Sequence, residues 1–341
     1  MIYRSKAPLR VGLAGGGTDV SPYCDLYGGA ILNAAINMYA NVAIEPLDTQ
    51  EVILQSIDRQ LTINLAATEE LDLQDGNLSL LKGVYNRIVK DFAHKALPCK
   101  ITTFVEAPLG SGLGTSSTLV VAIIGAFAEW LQLPLGEYDI AHLAYEIERE
   151  DLGMAGGRQD QYAATFGGFN FMEFYADNKV IVNPLRIKSS VINELECNLL
   201  LYYTETSRLS SSIIETQQSN IQQKSEKSLE ATHKVKEQAF MMKEAILKGQ
   251  LAKIGEILDF GWQHKKQMAA NISNPQIDAL YENALAAGAT GGKISGAGGG
   301  GFMNFFCPAT TRYAVTAALL KAGGRIQPFQ FSLEGLTTWG I

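Results

Sequence analysis

Cysteine is scarce in this chain. The four present, Cys24, Cys99, Cys197 and Cys307, lie far apart and form no CxxC pair. That spacing excludes a zinc knuckle and a disulfide framework, and it suits reduced thiols in a cytoplasmic protein. Histidine is as sparse: His94, His142, His233 and His264 show no metal-ligand spacing and are read as structural or surface residues. Basic residues number 28 against 35 acidic ones, a formal net charge of -7, so no nucleic-acid partner is expected. Such a balance still allows local cations around one phosphorylated metabolite. Long apolar runs are missing too. The longest, Leu119 to Ala128, has half of the roughly 20 residues that a bilayer span needs. Met1 to Lys6 leads straight into a strand-like pattern without the apolar block of a signal peptide. A cytoplasmic location with no membrane partner is the expectation.

What is present is enough material for a core. Hydrophobic residues make up 47% of the 341 and charged ones 18%, which argues against disorder and allows one large domain or two ordinary ones. Alternation and β-branched residues predict strands over 9–13, 39–46, 51–57, 61–65 and 99–107, then 167–174, 180–187, 198–203, 302–306 and 326–331. Helical spacing covers 80–96, 115–131, 138–151 and 310–322. Residues 207–249, rich in Gln, Lys, Glu and Ser, read as one or two long, mostly solvated helices. The strands come in blocks without βαβα alternation, which predicts an α+β protein. Its two domains are expected over 1–190 and 191–341, with a boundary near 185–200.

Positions 108–117 read Pro-Leu-Gly-Ser-Gly-Leu-Gly-Thr-Ser-Ser, between a predicted strand and a predicted helix. Alternate glycines at Gly110, Gly112 and Gly114 let backbone N–H groups turn inward and approach a ligand closely. The helix that follows aims its unpaired N–H groups and partial positive charge at the same spot. Hydroxyls at Thr115, Ser116 and Ser117 can cap the helix, bind phosphate oxygens or hold Mg²⁺. A tight strand–helix turn with a serine cap would use the same residues. No Gly-Lys-Ser/Thr follows, so this is not a Walker A loop. Its GxGxG spelling, late in the chain, is not a dinucleotide fingerprint either, which opposes an oxidoreductase.

The segment Pro108 to Thr118 resembles the second motif of the GHMP kinase superfamily, P-x-x-x-G-L-G-S-S-A, with Thr115 in place of the first serine. Ala7 to Asp19, Ala-Pro-Leu-Arg-Val-Gly-Leu-Ala-Gly-Gly-Gly-Thr-Asp, resembles the first motif. Lys293 to Gly301, Lys-Ile-Ser-Gly-Ala-Gly-Gly-Gly-Gly, resembles the third. The three stand in family order and bracket positions 7–301. The resemblance implies the GHMP kinase fold: an N-terminal, ATP-binding domain like ribosomal protein S5 domain 2 and a ferredoxin-like C-terminal domain. Arg4 to Tyr23 and Gly157 to Tyr162 are more specifically similar to the D-glycero-D-manno-heptose 7-phosphate kinases. That likeness implies phosphorylation of the anomeric hydroxyl of the heptose 7-phosphate, giving the 1,7-bisphosphate on the route to GDP-heptose.

By the family pattern, ATP and Mg²⁺ are the cofactors. Backbone N–H groups along Pro108, Gly110, Ser111, Gly112, Leu113, Gly114, Thr115, Ser116 and Ser117 hold the triphosphate. Ser116 and Glu148 hold the metal. Asp160, in Gly-Arg-Gln-Asp-Gln-Tyr, takes the place of the catalytic aspartate that accepts or orients the sugar hydroxyl, and Arg10 stands beside it to stabilise charge. Thr18 and Asp19 resemble the Thr-Asp that binds sugar hydroxyls in galactokinases. Gly16 and Gly17 replace the Glu-His of that signature, which leaves room and exposed N–H groups for a larger or anionic sugar. Gly298 and Gly299 close over substrate, with Lys293 as a candidate anion contact or an exposed lysine. For a substrate phosphate the cationic candidates are Arg158, Lys6 and Arg208. Expected partners are a sugar or sugar phosphate and, as a homodimer, a second copy of the chain. Competing readings are an L-fucose- or galactose-type sugar kinase, and a sugar and nucleotide sensor of the same fold. The intact set Ser116, Glu148, Asp160 and Arg10 favours catalysis over sensing.

Overall fold

The computed structural model describes residues 1–206 and 210–341. Two sheets organise it. In the first, β1 (Tyr3–Ala14), β2 (Gly29–Pro46), β3 (Glu51–Ser56), β4 (Leu61–Ala66), β5 (Cys99–Val105), β6 (Phe169–Phe174) and β7 (Val180–Pro184) are joined by a final strand, β12 (Thr337–Gly340). Their order is β12-β1-β2-β5-β3-β4, with β6 on the first part of β2 and β7 beyond it. Only the β3–β5 pair is parallel. The second sheet has β8 (Leu199–Tyr203), β9 (Gly291–Ile294), β10 (Phe302–Phe306) and β11 (Arg325–Gln327), antiparallel in the order β11-β8-β10-β9.

Burial follows from these layers. β5 alternates, as a half-buried strand does, whereas the first eight residues of β2 are buried on both faces. Helices α1 (Tyr23–Tyr27), α2 (Ser79–Ile88), α3 (Thr115–Leu131), α4 (Glu137–Glu146) and α5 (Gln159–Phe166) accompany the first sheet; α3 packs on β1 and β2. The chain continues through α6 (Ser189–Asn198), α7 (Ser210–Gln222), α8 (Glu226–Leu247), α9 (Ile254–Lys265), α10 (Pro275–Ala286) and α11 (Arg312–Lys321). Helices α2 and α4 each run on into a π-helical turn, Val89–Ala93 and Ile147–Asp151. The second of these carries Glu148. Among the described residues no helix is long and apolar enough to cross a membrane.

Several expectations need correction. Helix α8 is not mostly solvated: Ala231, Val235, Ala239, Met242 and Ile246 are buried, and it packs on β1, β2 and α9. Its buried face mixes Ala231, Ala239 and Ala245 with Ser228, Thr232 and Gln238 and has few large apolar residues, so it carries little apolar signal. Helices α1, α5, α6, α9 and α10 and strands β9 and β12 escape the periodicity reading. Gly255 and Gly261 interrupt α9 and lower its helical propensity. They are there because neighbours leave no space: a Cβ on Gly255 would lie 1.9 Å from Thr290 Oγ1.

Candidate active site

The glycine loop leaves β5 at Pro108 and turns through left-handed backbone at Gly110, Gly112 and Gly114 (φ 71, 82 and 80°) before α3 begins at Thr115. At Gly112 a side chain is excluded twice over, by that φ and by Ser295, whose carbonyl oxygen would sit 2.4 Å from a Cβ. The loop is held from both sides. Arg10 N–H donates to Leu113 O at 3.2 Å and Phe302 N–H donates to Ser111 O at 2.9 Å. Two glycine segments far apart in sequence, 108–114 and 295–301, therefore lie backbone to backbone. Gly112→Ala is expected to lose about 1–3 kcal/mol of stability and to raise KM for ATP, measured by denaturant unfolding and steady-state kinetics.

Arg10 sits where β1 departs from regular pairing with β2, between Pro8 and Arg10. Its Nη2 and Nε reach Asp160 Oδ1 at 2.6 and 2.8 Å, and Nη1 donates to Gly112 O at 2.5 Å. One guanidinium thus ties the aspartate at the start of α5 to the glycine loop. Both contacts fall on Oδ1. No donor among the described residues is given to Oδ2, the oxygen nearest Gly114. Asp160, Arg10, Gly110, Gly112, Gly114, Thr115, Ser116 and Ser117 line one cleft of about 530 Å³, with Gly17, Asp19 and Gly298. An adjoining apolar pocket of about 460 Å³, walled by Leu78, Val105, Leu119 and Leu152, shares Leu109, Thr115 and Met154 with it.

Asp19 is buried. Its Oδ2 accepts backbone N–H bonds from Arg158 (2.8 Å) and Gln159 (3.0 Å), while Oδ1 has no hydrogen-bond partner. Burial pushes its carboxyl above the usual aspartate value, with Asp160 adding to the rise and the Gln159 N–H opposing it. Gly157 is obligatory beside it, because a Cβ there would lie 1.9 Å from Asp19 Oδ2.

Glu148 is fully buried behind the first turn of α3. Gln161 Nε2 donates to Glu148 Oε2 at 2.5 Å and to Ser117 Oγ at 3.2 Å. Glu148 Oε1 has no hydrogen bond, and the nearest cation, Arg149 Nη1, is 3.8 Å away. A buried carboxylate oxygen without a donor is costly. A divalent cation would satisfy that oxygen, so Glu148 fits one, although Glu148 does not itself line the cleft and it is Ser117, through Gln161, and not Ser116 that is linked to it. The described residues contain no group of three or more His, Cys, Asp or Glu placed for a metal. Mg²⁺ in phosphate sites does not need such a cage, since it keeps waters and takes one or two protein ligands.

Some expected site residues are engaged elsewhere. Arg158 does not line the cleft: its guanidinium donates to Tyr175 O, Ser21 and Asp25, and only its backbone N–H serves Asp19. Thr18 is a turn residue whose hydroxyl bonds Gly15 O and Ala30 O. Gly16 presents its carbonyl to a lysine, Gly299 N–H is held by Ile272 O, and Pro108 opens the turn without reaching the cleft. Lys293 is neither exposed nor an anion contact, because its Nζ is buried against Gly12 O at 2.9 Å. Lys6 lies over the Tyr39 ring in the β1–β12 register, away from the cleft. Arg208 lies outside the described residues. The sequence reading missed Gln161, Arg149 and Lys265. Gln161 was legible as the residue after Asp160; Lys265, at the end of an unrecognised helix, carried no motif.

Comparison with known proteins follows from this geometry. Family profiles for the GHMP kinases N terminal domain and the GHMP kinases C terminal match residues 79–168 and 242–325. A D-glycero-alpha-D-manno-heptose 7-phosphate kinase of Campylobacter jejuni subsp. jejuni is 49% identical over 338 residues, 99% of either chain. A solved D-glycero-D-manno-heptose 1-phosphate kinase from Bacteroides thetaiotaomicron is 46% identical with a TM-score of 0.83, covering 99% of both chains. The Lactococcus lactis galactokinase solved with galactose is 18% identical and shares the fold, with a TM-score of 0.76 over 98% of this chain and 95% of that one. Matched in both halves by the family profiles and along its whole length by a near relative, this chain belongs to the GHMP kinase family.

Proposed function

We propose that this kinase transfers the terminal phosphoryl group of ATP to the anomeric hydroxyl of D-glycero-D-manno-heptose 7-phosphate, giving the 1,7-bisphosphate, a cytoplasmic step toward GDP-heptose. The observation that carries this is the Arg10–Asp160 pair seated against the glycine loop. The 49% identity, over nearly the whole chain, to a kinase named for the heptose 7-phosphate supports the choice of sugar.

In this reading the N–H groups of 110–116 and the α3 N-terminus receive the donor phosphates, and the adjoining apolar pocket takes the adenine. Asp160 Oδ2 accepts the proton of the sugar hydroxyl as its oxygen attacks phosphorus and the ADP oxygen leaves. Arg10 holds Asp160 in place through Oδ1 and brings positive charge to the reacting centre. A Mg²⁺ ion held by Ser116 and Glu148 would neutralise charge on the donor phosphates. Asp19 accepts from sugar hydroxyls through its unpartnered Oδ1.

The test is ADP release by the purified protein with ATP and Mg²⁺. The panel holds D-glycero-D-manno-heptose 7-phosphate, sedoheptulose 7-phosphate, mannose, fucose and galactose. Turnover confined to the heptose phosphate is expected, with phosphate appearing at C1. Preference for a neutral sugar would overturn the substrate, and ATP binding without any turnover would overturn the reaction.

A further inference from the structure

The cleft contains a cation that no motif predicts. Lys265, the last residue of α9, is 2% exposed yet lines the cleft with Asp19, Asp160 and Gly17. Its Nζ donates to Gly16 O at 3.0 Å, and no carboxylate among the described residues lies within ion-pair distance. An ammonium has three N–H donors and no acceptor. With one hydrogen bond made inside the fold, it retains donors to offer a ligand. Asp19 offers the complement, a buried Oδ1 with no donor. The segment at the end of α9 packs on the Gly16–Gly17 turn: a Cβ on Gly16 would make an ordinary contact with Nζ at 3.5 Å, whereas Gly17, at a φ of 99°, would bring one within 3.1 Å of Met268 Cε.

We propose that Lys265 is a specificity-determining residue that, with Asp19, binds hydroxyl oxygens of the acceptor sugar beside the oxygen to be phosphorylated, and that it does not bind a substrate phosphate. The proposal rests on the reading of this cleft as the acceptor site. A pair made of one donor-only and one acceptor-only group suits adjacent hydroxyls, each of which both donates and accepts. A phosphate dianion at Lys265 would instead face the carboxylates of Asp19 and Asp160, and like charges repel strongly where water is excluded. The electrostatics agree with this placement. Burial lowers the Lys265 ammonium to about 8, Asp19 opposes that fall and Arg10 adds to it. Burial also pushes the Lys293 ammonium, on β9, well below its ordinary value, with Lys265 and Arg10 adding to the fall.

Lys265→Met in the full-length protein tests the assignment. KM for the heptose 7-phosphate is expected to rise about 10- to 100-fold, the worth of a charged hydrogen bond to substrate, with KM for ATP within about twofold of wild type. Dephosphorylated heptose, as acceptor or competitive inhibitor, is expected to weaken by the same factor. Wild-type kcat/KM for the acceptor is expected to fall as pH rises through about 8, because the ammonium gives up its proton and its charge, and the variant is expected to lack that limb. An unchanged acceptor KM overturns the proposal, as does equal damage to both substrates' KM or a loss confined to the phosphorylated sugar. If wild type phosphorylates no sugar at all, the acceptor-site reading fails instead.

Discussion

Asp160→Asn is expected to lower kcat by about 10²- to 10⁴-fold, the range in which general-base catalysis contributes, while KM for ATP stays close to wild type. The substitution is suited to isolating proton transfer. An asparagine oxygen can still accept from Arg10 Nη2 and Nε where Oδ1 now does, so the bond that ties α5 to the glycine loop survives. What disappears is an oxygen that can take a proton. The Oδ2 position, which no donor among the described residues occupies, becomes an amide that donates. Single-turnover kinetics separate this loss from slow product release. A fall in kcat of less than tenfold would show that Asp160 orients the hydroxyl without removing its proton.

Glu148→Gln is the second large effect. The amide oxygen can keep the Gln161 Nε2 bond, which leaves an NH₂ group where Oε1 now stands unpartnered. A donor cannot ligate a cation, and the negative charge is gone. The Mg²⁺ concentration for half-maximal rate is expected to rise about tenfold or more, with kcat at ordinary Mg²⁺ down about 100-fold, as losses of metal-site groups typically give. Stability without metal should not fall. A buried carboxylate with an unmet oxygen is costly in the apo protein, and the neutral amide relieves that cost. Activity titrated against Mg²⁺, together with denaturant unfolding in chelator, reads both arms. A variant of unchanged Mg²⁺ dependence but lower stability would make Glu148 a structural anchor for Gln161 and α3.

The same residues show how legible the site was. The alternate glycines at Gly110, Gly112 and Gly114 could be named from their local spelling, and Arg10 and Asp160 from the family motifs that surround them. Lys265 could not, and Lys293 was named only for roles that its burial against Gly12 O rules out. A lysine at the end of a helix or strand is ordinarily solvated, and nothing in the neighbouring letters says that this end is buried against Gly16 or Gly12. Arg158 failed in the opposite direction. Its place next to Asp160 suggested a phosphate contact, but the α5 N-terminus turns its side chain toward Ser21, Asp25 and Tyr175, under the α1 segment.

The fold divides along the same line. Helix α3 was predicted over its observed span, since its apolar run and its glycine start are written in consecutive positions, although its cap is Gly114 and not one of the hydroxyls that follow. Strand β12, four residues ending in Trp339 and Gly340, has no pattern of its own and exists because β1 supplies its hydrogen-bond partners. By itself, then, the sequence determined the elements whose periodicity is self-contained and the two glycine loops, and its family motifs singled out Arg10 and Asp160. Only the tertiary structure decided that the loops meet across Gly112 and Ser295, that Glu148 keeps an unmet oxygen, and that a buried lysine joins Asp19 in the cleft. The physical reason is range. Backbone conformation and helix propensity act over a few residues, whereas burial and charge pairing depend on groups brought together from hundreds of positions apart.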